Sequence, residues 1–238
     1  MSAVTAAPVE TAETVDLAVT PLRELNQRLH DVAQTGAGPR RWRVIHPNGA
    51  HALACGLDAD LEVEIEGHAG YYCAGMNQRA RVHVRGSAGT GVAKNMMSGR
   101  VVVDGNASQS AGATAHGGLL VVHGDASARC AISLKGADVV VRGSVGHLSA
   151  FMAQTGRLVV CGNAGDALGD SIYEARLYVA GEVAALGADC VEKDVRPEHV
   201  DEVRELLAQA GIEDVDPASF RRYGSARRLY NFHVDNAY

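Results

Sequence analysis

The sequence predicts an all-β solenoid, a right-handed parallel β-helix of about seven 19-residue rungs with short flanking helices at both termini. Three observations carry this. Seven glycines recur at a strict interval of 19 residues: Gly67, Gly86, Gly105, Gly124, Gly143, Gly162 and Gly181. A short apolar strand precedes each, from EVEIEG and RVHVRG to RLVVCG and RLYVAG. Two positions after each comes Ala69, Ala88, Ala107, Ala126, Val145, Ala164 or Val183. Self-similarity at a fixed short period marks a repeat architecture. One strand per unit without helical periodicity suits a β-helix rung. A leucine-rich repeat has a similar length but needs leucines and an asparagine at fixed places, which this chain lacks.

Stacked rungs pile equivalent residues into columns at the inter-strand spacing. The columns Val63 to Leu177 and Ile65 to Val179 lie two residues apart and so share one face, expected to be inward. β-branched residues suit a buried pleated surface. The glycine column is expected at the corner, where φ > 0 turns the chain. Six residues before all but the first of these glycines stands another small residue: Ala80, Gly99, Gly118, Ala137, Gly156 and Ala175. Between the inward columns runs Glu64, His83, Val102, Val121, Val140, Val159 and Tyr178. Its four valines should point outward, so that face is expected to be covered, by the chain's own termini or by a partner. Seven rungs have six intervals, giving a rod roughly 29 Å long at ~4.8 Å per rung.

Three segments follow: an N-terminal extension and cap over 1–50, the β-helix over 51–190, and a helix and basic, aromatic tail over 191–238. Residues 1–15 read as disordered or extended. Thr20-Pro21 reads as an N-cap followed by proline at the first helical position. Leu22, Leu25, Leu29 and Val32 then keep helical spacing up to Gly36. Arg41 to Asn48 reads as an irregular strand, either a degenerate first rung or a cap. Pro197 to Gly211 reads as a second helix with Val200, Val203, Leu206 and Leu207 on one side. The tail from Asp216 mixes arginine with aromatics, which suits an interface and equally a self-packed tail.

Composition narrows the classes. An apolar content of 47% supports a continuous core, and aromatics at 5% suit a narrow interior. A net charge of −6 argues against a nucleic-acid partner. No basic stretch and apolar core opens the chain as a signal peptide would, and no run is long enough for a membrane span. Five irregularly spaced cysteines with no CxxC read as reduced cytoplasmic thiols.

No catalytic motif emerges. The ten histidines show no metal-ligand spacing. Gly86-Ser-Ala-Gly89-Thr-Gly91 is only superficially a phosphate cradle, because a new rung and not a helix follows it. Irregular turns carry the candidate functional residues: Tyr71, Tyr72, Met76 and Asn77 in one, Lys94, Met96 and Met97 in the next, then His116, with Arg227 and Tyr230 in the tail. Adaptable Met and amphipathic Tyr suit a partner interface. The small, polar run 108–116 suits the lining of a passage. Catalytic, cofactor and metal residues are expected to be none.

These repeats resemble the GXGXG domain, the β-helical C-terminal domain of the large subunit of glutamate synthase, over about residues 50–195. The stretches GHAGYYCAGMNQ, AKNMMSG, SQSAGATAHGG, GHLSAFMAQTGRLVVCG, GDSIYEAR and LGADC, with the tail RRYGSARRLYNFHVDNAY, are closer to the GlxC-type subunits of N-methylglutamate synthases. The resemblance implies a hetero-oligomer with an amidotransferase-like subunit and an FMN-binding, glutamate-synthase-like subunit. FMN, with an iron–sulfur cluster as a further candidate, would sit in a partner and not in this chain. The resemblance implies no catalytic side chain here; the domain spaces the other two active centres and helps wall the route for ammonia or amine. The rival readings are a GXGXG subunit of a formylmethanofuran dehydrogenase or formyltransferase/hydrolase complex, and a free-standing sugar-cleaving β-helix. The last would need outward Asp/Glu clusters in successive rungs.

Overall fold

In the computed structural model the described residues are 12–227, and they form a parallel β-solenoid with two short helices. One 11-stranded sheet runs its length. It begins with β1 (Glu13–Asp16) and β2 (Arg41–Ile45). The 19-residue ladder follows as β3 (Glu62–Glu66), β4 (Arg81–Val84), β5 (Arg100–Val103), β6 (Leu119–Val122), β7 (Lys135–Val141), β8 (Thr155–Val160) and β9 (Arg176–Val179). Every pair from β1 to β9 is parallel, and Val63, Val82, Val101, Leu120, Val139, Leu158 and Leu177 stand in register. β2 joins in the same way, Trp42 on Val63 and Val44 on Ile65, so Arg41–Ile45 is a rung. A second row of parallel bridges joins Ala69, Ala88, Ala107, Ala126, Val145, Ala164 and Val183. Both inward columns are buried in one continuous core.

The glycine column has a different cause from the one its corner position implies. Only Gly67 among the seven has a left-handed φ, +127°. The others are glycine because the rungs approach too closely for a Cβ. One added at Gly86 would lie 2.7 Å from the carbonyl of Gly67, and one at Gly124 would lie 2.7 Å from the Gly105 oxygen.

Left-handed backbone falls instead at three turn positions in each rung from Ala52 to Ser171, and at Gly99, Gly118 and Gly156 on the next corner. Tyr72, Ala74 and Met76 have φ of 62°, 52° and 56°, and the pattern repeats through Ala167, Gly169 and Ser171. Most of these residues are not glycine, so each carries a conformational cost of about 1–2 kcal/mol. Inter-rung hydrogen bonds offset it. The N–H of Tyr72 donates forward to Thr90, that of Ala74 back to Leu53, and that of Met76 forward to Lys94, all within 2.9 Å. A further ladder runs beside the glycines. The side chains of His68, Ser87, Asn106, Asp125, Ser144 and Asn163 each accept from the backbone N–H one rung later, at 2.7–3.1 Å.

Both helices cover the solenoid. Helix α1 (Leu22–Thr35) buries Leu25, Leu29 and Val32 and ends at Gly36 in the left-handed conformation. Its N-cap is Pro21, one residue later than expected, so the Thr20 side chain caps nothing. Asn26 donates to the Ala52 carbonyl at 2.9 Å and accepts from the Ala54 N–H at 3.0 Å, satisfying the first turn of the ladder. Helix α2 (Pro197–Ala210) answers the question posed by the outward valines. Its Val203, Leu206, Leu207 and Ala210 form a second core with Val121, Val140, Val159 and Tyr178. Two further strands went unread in the sequence. β11 (Arg221–Ser225) inserts antiparallel between β9 and β10 (Cys190–Lys193), burying Arg222 and Tyr223. The start of the tail is therefore self-packed sheet.

Candidate partner-binding face

The turns that follow the glycine corner form one long edge of the solenoid, and the 19-residue step fixes what each column shows there. One column reads Met76, Asn95, Thr114, Ser133, Met152 and Ser171. The column two residues on reads Gln78, Met97, His116, Lys135, Gln154 and Tyr173. Met76 is 44% exposed and Met97 47%. Four rungs away the same columns show Met152 at 40% and Tyr173 at 43%. Two apolar pairs thus stand on one edge, separated by roughly 19 Å at ~4.8 Å per rung. Met76 and Met152, like Met97 and Tyr173, stand 76 residues apart, four steps of the repeat, so the second of each pair follows from the first once the column is known.

The structure brings most of the predicted residues together. Met76 donates its N–H to the Lys94 carbonyl at 2.8 Å, Met97 to Asn77 at 2.7 Å and His116 to Met96 at 2.7 Å. Lys94 and His116 are exposed beside the two methionines. Asn77 and Met96 are fully buried and take no part in the outer surface. They occupy the inward column shared by Leu57, Ala115, Leu134, Ala153 and Ile172. Asn77 ties its turn to the next strand by donating to the Ala80 and Ser98 carbonyls at 2.8 and 3.2 Å.

Tyr71 is 54% exposed at the near end of the edge and stacks on His51 with ring centroids 4.1 Å apart. Tyr72 is half-buried, with its ring laid over Gly75. Arg227 is not part of this cluster. It lies at the opposite end of the sheet, paired with Asp189. Tyr230 lies outside the described residues.

The residues of the run 108–116 split between inside and outside. Ala111, Ala113 and Ala115 are buried, while Gln109 and His116 face solvent. The solenoid axis is filled by the continuous core. All five thiols are free, and burial raises their pKa, to about 11 for Cys55, Cys161 and Cys190 and about 12 for Cys130; Cys73 shifts the same way. Thiols held in the protonated form are poor nucleophiles and poor metal ligands. Among the described residues no group of three or more His, Cys, Asp or Glu is placed to hold a metal ion. Among them, too, no helix is long and apolar enough to cross a membrane.

Comparison with known proteins matches this architecture. A family model described as the GXGXG motif covers residues 49–215. The chain belongs to the GXGXG family. It is also 59% identical, over 223 residues, to Protein GlxC of Rhizobium meliloti (strain 1021), an alignment that spans 94% of this chain and 97% of that protein. The match includes α2 (Pro197–Ala210) as well as the rungs, so the helix that covers the outer valines lies within the region the family model describes.

Proposed function

We propose that this GXGXG chain is a structural, non-catalytic subunit of a glutamate-synthase-like complex, N-methylglutamate synthase. The complex would convert methylamine and glutamate to N-methylglutamate and ammonia. One partner would be amidotransferase-like and the other would carry FMN. The observation that supports this reading most is the exposed Met76, Met97, Met152 and Tyr173 edge set on a rod with one unbroken core. Exposed methionine and tyrosine on a rigid frame suit a docking surface for other subunits. A stiff frame holds two active centres at fixed separation, which is what the transfer of a small amine requires. Because side chains fill the axis, the amine route would run along the solenoid's outer wall.

Co-purification tests the proposal. The chain would be prepared alone and with the amidotransferase-like and FMN subunits, and assayed with methylamine and glutamate. Turnover is expected only with the partners present. A Met76→Asp, Met97→Asp double variant should lose co-purification while keeping its melting temperature. N-methylglutamate formed by the chain alone would refute the non-catalytic role, and full co-purification of the double variant would refute the assigned face.

A further inference from the structure

Helix α2 covers only part of the outer sheet face. Over β2 to β5 that face is open and forms a groove of about 450 Å³, a volume within the range of small-molecule sites. Its lining includes Arg41, Arg81, Arg85 and Arg100 against two carboxylates, Glu62 and Glu64. Parallel register puts Arg41, Glu62, Arg81 and Arg100 in one column, each on its own rung.

The charges in that column do not balance. Glu62 bridges Arg41 at 2.8 Å and Arg81 at 3.3 Å. Glu64 and Asp104 together hold Arg85, and Asp104 also holds His83. Arg100 has only a neutral partner, the Gln209 carbonyl near the end of α2, at 2.5 Å. It makes no ion pair among the described residues. Directly beside it in the register stands Arg81, another cation with half a share of one carboxylate. Two like charges on neighbouring rungs repel. Elsewhere in the same column each arginine has its own carboxylate: Asp138 holds Arg157 with two hydrogen bonds, and Arg176, on the rung after Arg157, pairs with Glu202 of α2. Burial and the charge of Arg81 both lower the pKa of Arg100, in keeping with a cation short of a counter-charge.

We propose that the groove over β4 and β5 is a binding site for a small-molecule anion, a carboxylate or phosphate, held between Arg81 and Arg100. Each guanidinium can present charge-assisted N–H donors to such an anion, and adjacent strands put the two side by side. Val102 gives the bound molecule a half-buried apolar wall, and His83 a further polar contact. α2 sets the site by fixing Arg100 through the Gln209 carbonyl.

The test is an NMR titration of the full chain with inorganic phosphate and, separately, with malonate, each against sodium chloride at matched ionic strength. Saturable shifts confined to Val82, His83 and Val102 are expected with at least one of the two anions, and the anion that saturates identifies the ligand class. Arg100→Gln and Arg81→Gln should each weaken that binding about tenfold or more, the loss expected for a charge-assisted contact, with the amide spectrum otherwise intact. Shifts that follow ionic strength alone, or that persist in both variants, would overturn the assignment.

Discussion

Asp138 and Arg157 stand one rung apart and meet through two parallel hydrogen bonds, Nε to Oδ1 and Nη2 to Oδ2, each 2.7 Å. Both side chains are less than a quarter exposed, 22% for Asp138 and 23% for Arg157. Asp138 is the first cause of the raised pKa of Arg157. Because the pair is forked and partly shielded, it should be worth more than an ordinary surface ion pair. Arg157→Ala is expected to lower the unfolding free energy by about 1–3 kcal/mol. Adding Asp138→Ala should cost little more, since the two act as a unit. Urea denaturation of the two single variants and the double variant gives the coupling directly.

Two glycine substitutions separate close approach from backbone conformation. Gly124 has an ordinary φ, but a Cβ there would meet the Gly105 carbonyl and the Asn106 side chain. Gly91 has a φ of +74°, but a Cβ there would find nothing nearer than 3.8 Å. Gly124→Ala is expected to cost about 1–3 kcal/mol or more through overpacking. Gly91→Ala should cost only the left-handed penalty that Ala93 and Ala74 already carry, about 1–2 kcal/mol, with no overpacking added. Equal melting temperatures for the two variants would contradict the stacking account.

His199 sets a pH dependence. It is buried and its Nδ1 accepts from the Arg196 N–H at 3.0 Å, closing the first turn of α2. Burial, then Arg222 and Arg196, lower its pKa below 6.5. The folded state therefore binds its proton more weakly than the unfolded chain. That contribution to stability is complete above the unfolded value and is lost as pH falls through the folded one. Stability should decline below about pH 6.5, and His199→Gln should flatten the decline while costing about 1 kcal/mol at pH 8 through the altered cap. Denaturation midpoints from pH 8 to 5 read both effects.

Peroxide footprinting tests the turn edge. Met76, Met97 and Met152 are exposed and should oxidise readily in the isolated chain, whereas the fully buried Met96 should be spared. Protection of Met76 and Met97 on addition of partner subunits would place the contact there. Rapid oxidation of Met96 would show that its turn does not pack as described.

Periodicity made the ladder legible. A strict 19-residue step and two valine-rich columns specify rungs, register and core without any knowledge of the turns. The outward valines also announced a cover, which α2 supplies over Val121, Val140 and Val159 and only partly over Val102. What escaped reading lacked periodicity. β1 is four residues of ordinary composition, and β11 pairs with residues some 30 to 45 positions earlier. The left-handed turn columns hold Tyr, Arg, Leu and Met as readily as Gly, because inter-rung hydrogen bonds and not residue preference impose them. Of the candidate face, residue type identified Met76 and Met97 but could not tell exposed Met97 from buried Met96, its neighbour. The arginine column gave no signal as a site, since only the register sets Arg81 beside Arg100.

The two ends of the ladder, among the described residues, are unlike any cut through its middle. On the strand side, β11 and β10 project past β9, while on the turn side the ladder closes at the bridge between Leu168 and Leu186. At the other end α1 sits across the first turn through Asn26. A repeat built by pure translation would otherwise let a second molecule continue the screw indefinitely, growing a filament by the same bonds that fold the monomer. Staggered, dissimilar ends forbid that continuation. Length is thereby set by the antiparallel strands β11 and β10 at one edge and by α1 at the other, not by the repeat itself.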